Sequence, residues 1–212
     1  MRTSEDNLGA AADAALMRRC FALTGRARGQ GEAPYGAVVG RDGQFVCESL
    51  NRARADHDVT HHAELLAISE AQRILGRLSL DDCTLYSIVE PCPMCAYAVR
   101  ETRIARVVYS LSSPVMGGHS RWNILEDRHL SDIIPEVFAP PPVVSAGFLA
   151  PEAAEVMKKW NFLFWGIIQR RHLISKDNGQ PPDSGIKPRN GSNIPGRLGR
   201  WIRALIDSIW RS

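Results

Sequence analysis

Two stretches, His62-Ala63-Glu64 and Glu90-Pro91-Cys92-Pro93-Met94-Cys95, decide how the rest of this chain is read. One imidazole and two thiols are ligand types that suit Zn²⁺. Three such ligands leave the fourth tetrahedral position open to water, the mark of a catalytic rather than a closed structural site. A metal held this way lowers the pKa of its water toward neutrality. Glu64, two residues past the imidazole, is then free to move protons instead of binding metal. His62 and Glu64 are too close in sequence to share a helix face, so one can meet the metal while the other meets a substrate. Cys92 and Cys95, three apart, do share a face. Pro91 suits a helix start, whose dipole favours two thiolates. His62 is therefore expected at the start of one helix, and both cysteines in the first turn of another.

Competing readings explain less. A lone Cys-x-x-Cys can be redox-active, or half of a structural zinc ribbon. A ribbon needs a second pair, and Cys20, Cys47 and Cys83 stand singly in apolar or strand-like contexts. A thioredoxin-like reading leaves His62-Ala63-Glu64 without a purpose. His61 is a decoy, since the His-x-Glu register selects His62. His57, His119, His129 and His172 are surface or pocket residues by default.

With 212 residues, 44% of them hydrophobic, the chain can bury one substantial core. No stretch approaches the run of about twenty apolar residues that spans a membrane. Met1 to Asn7 is polar and of mixed charge, so no secretory signal is expected. Five cysteines, an odd number with two committed to metal, argue against a disulfide framework and for the reducing cytoplasm. The formal charge is +3; seven Lys and Arg against three Asp from Leu173 onward give +4, which leaves residues 1–172 at about −1. A near-neutral body lacks the basic surplus that an extended phosphate backbone favours.

Periodicity supplies the frame. Leu8, Ala11, Ala12, Ala15, Leu16, Cys20 and Leu23 recur at helical spacing between about Glu5 and Ala27. Ala37-Val38-Val39 and Phe45-Val46-Cys47 flank Gly40-Arg41-Asp42-Gly43 as a β-hairpin. A polar loop, Asn51 to Asp58, leads to a helix from about His61 to Leu75. Cys83 to Val89 is a strand, the Cys92/Cys95 helix runs to about Glu101, and Ile104 to Leu111 is another strand. Ser112 to Trp122 is irregular, with a short helix near Ile124. Val143 to Gly147 forms a last strand, and Pro151 opens a long helix to about His172. Alternating strands and helices give an α/β fold, a layered sheet with helices on its faces.

Composition then divides the chain: a domain over 1–172, a flexible linker over 173–196 rich in Pro, Gly, Ser and Asn, and a basic amphipathic C-terminal helix over 197–212. In that helix Leu198, Trp201, Ile202, Leu205, Ile206, Ile209 and Trp210 share one stripe. Arg197, Arg200, Arg203 and Arg211 lie off it. Such a helix can lie on an anionic membrane surface, dock in a partner's groove, or fold back on its own domain or a dimer mate.

The chain resembles the cytidine/deoxycytidylate deaminase superfamily of zinc-dependent enzymes. Within it the similarity is to the branch of guanine deaminases, fungal-type cytosine deaminases and tRNA adenosine deaminases. Pro34-Tyr35-Gly36-Ala37-Val38, Asn51-Arg52, Thr60-His61-His62-Ala63-Glu64 and Leu80-Asp81-Asp82-Cys83-Thr84-Leu85-Tyr86 carry the resemblance, together with the Glu90–Cys95 hexad. It extends to about Arg171. It implies a three-layer cytidine-deaminase-like fold, a central mixed sheet of about five strands flanked by helices. It also implies one Zn²⁺ per chain on His62, Cys92 and Cys95, and a homodimer.

The implied reaction is hydrolytic deamination of a free nucleobase or nucleoside, a C–N hydrolase reaction in which metal-activated water attacks and ammonia leaves, with Glu64 moving protons. The Leu80–Tyr86 and Glu90–Cys95 runs look most like bacterial guanine deaminases, so a guanine-type purine is favoured. A tRNA adenosine deaminase, forming inosine at the wobble position, is the second reading and is disfavoured by the near-neutral body. Cytosine or cytidine is a third, and a non-catalytic zinc-stabilised binding module a fourth.

Val59 and His61 stand where the family usually has Pro and Ala, and residues 115–123 match neither guanine nor tRNA deaminases. By resemblance Asn51 hydrogen-bonds the base and the Ala63 amide helps orient it. His119, Trp122 and Asn123 are candidate specificity residues, with an ordinary loop and helix cap as the alternative. Trp160, Phe162, Phe164 and Trp165 either cover the pocket or make core or dimer contacts.

Overall fold

The structure, a computed structural model, describes residues 4–176. In chain order its elements are α1 (Ser4–Gly29), β1 (Gly36–Arg41), β2 (Gln44–Leu50), α2 (Ala63–Leu75), β3 (Cys83–Val89) and α3 (Pro93–Glu101). They continue with β4 (Arg106–Leu111), α4 (Arg128–Ile133), β5 (Val143–Ser145), α5 (Ala150–Trp160) and α6 (Phe162–Arg170). The strands form one mixed sheet in the order β2-β1-β3-β4-β5. β1 runs antiparallel to β2 and β3, while β3, β4 and β5 are parallel.

Successive strand residues face opposite sides of a sheet, and here both sides are apolar. Val38, Tyr86 and Val108 pack on one side with Leu16, Met17 and Phe21 of α1, Met157 of α5 and Ile168 of α6. Val39, Leu85 and Val107 pack on the other with Ala67 and Ile68 of α2 and Ala96 and Val99 of α3. The result is the expected three-layer α/β architecture around a mixed five-strand sheet. Helix α1 lies close: a Cβ on Gly40 would stand 2.7 Å from Leu16 Cδ1. The hairpin turn is centred on Asp42 and Gly43, both at positive φ (49° and 73°), the form favoured by an Asp-Gly pair. It begins two residues later than the glycine at 40 suggests, because a bulge at Val39/Gly40 lets β1 continue to Arg41.

Three local expectations shift. Only Cys95 lies inside the first turn of α3; Cys92 is its N-cap, with extended backbone (φ −67°, ψ 170°). Pro93 is the cause, because a residue preceding proline is pushed out of the helical region, and Pro93 rather than Pro91 takes the first helical position. The long C-terminal helix breaks at Asn161 (φ −158°, ψ 107°), whose side chain accepts from Phe164 N and so starts α6. The short helix lies at Arg128–Ile133 rather than near Ile124, and starts where Asp127 accepts from His129 N.

Ser112 and Ser175 exchange both backbone hydrogen bonds (2.9 and 2.8 Å), so the chain stays on the domain past residue 172. The remaining expected linker, from 177, and the helix over 197–212 lie outside the described residues. Among the described residues no helix is long and apolar enough to cross a membrane.

One buried polar cluster ties α1 to the sheet. Asp13 accepts from both terminal nitrogens of Arg106 on β4 (2.8 and 2.6 Å) and from Tyr86 Oη on β3 (2.6 Å). Burial would raise the Asp13 carboxyl, but the bonds from Arg106 and Tyr86 outweigh it and hold the group below its ordinary 3.8. A depressed carboxyl stabilises the fold fully above the ordinary value and loses that contribution as pH falls through the lowered one. Asp13→Asn is expected to cost about 1–2 kcal/mol at neutral pH, because it strips the part-buried Arg106 of its counter-charge. Urea unfolding of both proteins at pH 7 and pH 3 checks this. The gap between them should narrow in acid, and a gap that widened would contradict the assignment.

Candidate metal and active centre

The ligand atoms come from the starts of two helices. His62 is the N-cap of α2 and Cys92 the N-cap of α3; neither side chain caps its own helix, which leaves both free to face each other. His62 Nδ1 lies 3.5 Å from the Sγ of Cys92 and 3.5 Å from that of Cys95, and the two sulfurs are 3.6 Å apart. Tetrahedral zinc, with bonds of about 2.0–2.1 Å to nitrogen and about 2.3 Å to sulfur, would space the same atoms at about 3.6 Å (N to S) and about 3.8 Å (S to S). The donor set and its spacing therefore fit zinc. Among the described residues this is the one group of three such side chains close enough to hold a metal ion.

Electrostatics favour the arrangement. Two helix N-termini converge on the thiols, and the positive ends of their dipoles suit thiolates. The hydrogen bond from Cys95, helped by His62, pulls the Cys92 thiol down to about 4 against the effect of burial. The same contact and burial push the Cys95 thiol up. His62 is raised chiefly by its contact with Cys92.

Glu64, one residue into α2, is buried beside this triad. Its Oε1 accepts from Ser87 Oγ on β3 (3.1 Å) and its Oε2 lies 3.7 Å from Cys95 Sγ. Burial pushes its carboxyl above the usual carboxylate range.

His62, Glu64 and Cys92 open into a cavity of about 820 Å³. Asn51 lines it; its Nδ2 donates to Glu32 Oε2 (2.9 Å), which fixes the amide. Ala63 is fully buried between His62 and Glu64 and does not line the cavity. His119, Trp122 and Asn123 do not line it either. The His119 ring lies 2.8 Å from Tyr109 Oη and 3.2 Å from Glu126. Trp122 is 58% exposed beneath the Arg121 guanidinium, and Asn123 sits at positive φ on the surface. From the same segment Met116 reaches the cavity, with Ser113 just before it. Of the C-terminal aromatics, Trp160, Phe162 and Phe164 line it, whereas Trp165 belongs to the core.

The model of the cytidine and deoxycytidylate deaminase zinc-binding region matches residues 10–111. A tRNA-specific adenosine deaminase of Aquifex aeolicus is 40% identical over 107 residues, 50% of this chain and 71% of that protein. The chain belongs to the cytidine and deoxycytidylate deaminase family. A solved structure from work on A-to-I editing by tRNA:A34 deaminases at the wobble position has a TM-score of 0.60 at 32% identity. The match covers 68% of this chain and 99% of that one. A guanine deaminase of Bacillus subtilis is 44% identical over 77 residues, 36% of this chain and 49% of that protein. A tRNA(Ile)-lysidine synthase of Deinococcus radiodurans is 36% identical over 184 residues, 85% of this chain. The chain spans only 29% of the length of that protein and 22% of its Deinococcus deserti counterpart.

Several residues that shape this family site carry no spacing pattern by which sequence could find them. Glu32, almost fully buried, accepts from the backbone of Arg54 (3.0 Å) and Ala55 (2.7 Å) as well as from Asn51. It thereby folds the polar 51–58 loop against the cavity. Cations from four separate parts of the chain line the same cavity: Arg28, Arg54, Lys158, Lys159 and Arg171.

Two variants separate ligand from neighbour. Cys95→Ser should lose most of its zinc, whereas Glu64→Gln should keep about one zinc per chain. Metal analysis of the purified proteins checks this, and a Glu64→Gln protein as depleted as Cys95→Ser would place Glu64 among the ligands.

Proposed function

We propose that this protein is a zinc-dependent hydrolytic deaminase acting on adenosine carried by tRNA. The observation that carries the reading is the ring of cations around the cavity that holds His62, Glu64 and Cys92. Arg28 ends α1, Arg54 stands on the 51–58 loop, Lys158 and Lys159 end α5, and Arg171 follows α6. The acidic residues of the same lining, Glu32, Glu64 and Glu90, are buried and turned to partners within the protein. Five cations against three carboxylates leave the lining positive, with Lys158 in a loose ion pair with Glu155 (3.8 Å), although residues 1–172 sum to about −1. Phosphates attract such a ring, whereas a neutral free base carries no charge for it to attract. Relatives named as tRNA-specific adenosine deaminases support the same reading.

When bound, the metal acidifies a water molecule and so supplies a nucleophile near neutral pH. This chain's own residues do the rest. Glu64, held by Ser87, takes one proton from the attacking water and delivers it to the ring nitrogen, then takes the second from the newly formed hydroxyl and delivers it to the departing amino group. The carbon–oxygen bond forms, the carbon–nitrogen bond breaks, ammonia leaves, and inosine remains in the tRNA. Asn51, fixed by Glu32, orients the base. A pocket of oriented polar groups discriminates because a wrong base leaves them unpaired.

Free guanine is the second reading, favoured by the 44% identity to a guanine deaminase over 77 residues. The two diverge in one assay. Purified protein should form inosine in a tRNA carrying adenosine at the wobble position, with kcat/KM falling steeply as salt rises. Ammonia from guanine, with the tRNA left untouched, would contradict the tRNA reading. Glu64→Gln should lower turnover by about 10²–10⁴-fold on whichever substrate reacts, and a near-normal rate would remove Glu64 from the mechanism.

A further inference from the structure

Glu90 is 3% exposed, stands two residues before Cys92, and has no part in the chemistry above. Its carboxylate receives four donors, two on each oxygen. Ser113 N and Ser120 Oγ donate to Oε2 at 2.7 and 2.8 Å, and His119 N and Ser120 N donate to Oε1 at 2.9 and 2.6 Å. An acceptor-only group filled this completely is a fixed hub rather than a mobile side chain.

The loop can wrap it only because of its glycines. A Cβ on Gly117 would stand 2.0 Å from Glu90 Oε1, and one on Gly118 would stand 2.4 Å from Ala96 Cβ. Gly118 N also donates to the Pro91 carbonyl (2.8 Å). Residues 113–120 are therefore fastened to the two residues that precede Cys92, and this same stretch brings Ser113 and Met116 to the cavity.

We infer that Glu90 is a positioning residue for substrate: its carboxylate holds residues 113–120 so that Ser113 and Met116 form a fixed wall of the cavity. It acts on where the base sits rather than on the metal. Met116, 58% exposed at that wall, is then the residue of the 115–123 segment that meets the base. The kinetic arm rests on the tRNA reading; the exchange arm does not.

Glu90→Gln puts an amide nitrogen among groups that are all donors, and should raise KM for the wobble-adenosine tRNA about tenfold, with kcat changed less than about threefold and zinc still stoichiometric. In a Met116→Ala background the same substitution should raise KM less than about twofold, because the wall it positions has gone. Ser120→Ala removes one of the two Ser120 donors and provides a milder, folded variant, with a KM increase of about two- to threefold. Hydrogen exchange at the Ser113, His119 and Ser120 amides needs no substrate. These amides should be protected in the parent and exchange at least tenfold faster in Glu90→Gln. Additive effects of Glu90→Gln and Met116→Ala on KM, a fall in kcat that tracks zinc loss, or unchanged exchange at the three amides would each overturn the inference. Should the tRNA not react, faster exchange would still support the hub and unchanged exchange would still refute it, so the two proposals fail separately.

Discussion

Three ligand atoms from residues up to 33 positions apart have to meet within 3.6 Å, and the architecture around them serves that convergence. Two helices must begin at one place, each with an extended N-cap residue that turns its side chain toward the other helix instead of capping its own. For α3 this is secured by Pro93, which keeps Cys92 extended and leaves Cys95 three residues on, in the first turn. For α2, His62 takes the cap position and Glu64 follows inside the helix, where Ser87 of β3 meets it. β3 runs straight into the cysteine turn, so the sheet sets the height of both thiols. Ligands gather at the carboxyl ends of strands in such layered sheets, and this centre obeys the same logic.

Around the metal triad, buried carboxylates organise what the backbone leaves irregular. Glu32 gathers the 51–58 loop and Asn51, and Glu90 gathers 113–120. Burying a charge is costly unless donors surround it. Here the surrounding donors are largely backbone amides, which serve whatever side chains the loops carry. Two loops without regular structure thus become fixed walls, one bringing Asn51 to the cavity and the other Ser113 and Met116. The wall from α5 and α6 arises differently, from an Asn161 cap that bends an otherwise continuous apolar run. That bend turns Trp160, Phe162 and Phe164 to the cavity while Trp165 stays in the core.

The layers and the metal triad were legible because short apolar strand runs bounded by turn residues and the two motifs are short-range signals. Cys92 stands just outside its helix, not in the first turn as expected from Pro91, because Pro93 keeps it extended. Asn161 is a helix-capping residue inside an apolar run, a local signal for the break between α5 and α6. Other features had no local signal. His119, Trp122 and Asn123 carry plausible chemistry, but a hydrogen bond to Tyr109 and the proximity of Glu126 occupy the His119 ring, and Trp122 and Asn123 lie exposed, Asn123 with a left-handed backbone, so none lines the cavity. The cation ring was invisible for a different reason. Net charge averages over the body, whereas Arg28, Arg54, Lys158, Lys159 and Arg171 are brought together only by folding.

The central claim is a three-ligand zinc centre with its fourth position left to water. X-ray absorption at the zinc edge of the loaded protein tests it most directly. The account predicts two sulfurs at about 2.3 Å and two light atoms, imidazole nitrogen and water oxygen, at about 2.0–2.1 Å. Glu64→Ala should leave that spectrum unchanged. A shell of three or four sulfurs, or a light-atom contribution that shrinks when Glu64 is removed, would contradict it.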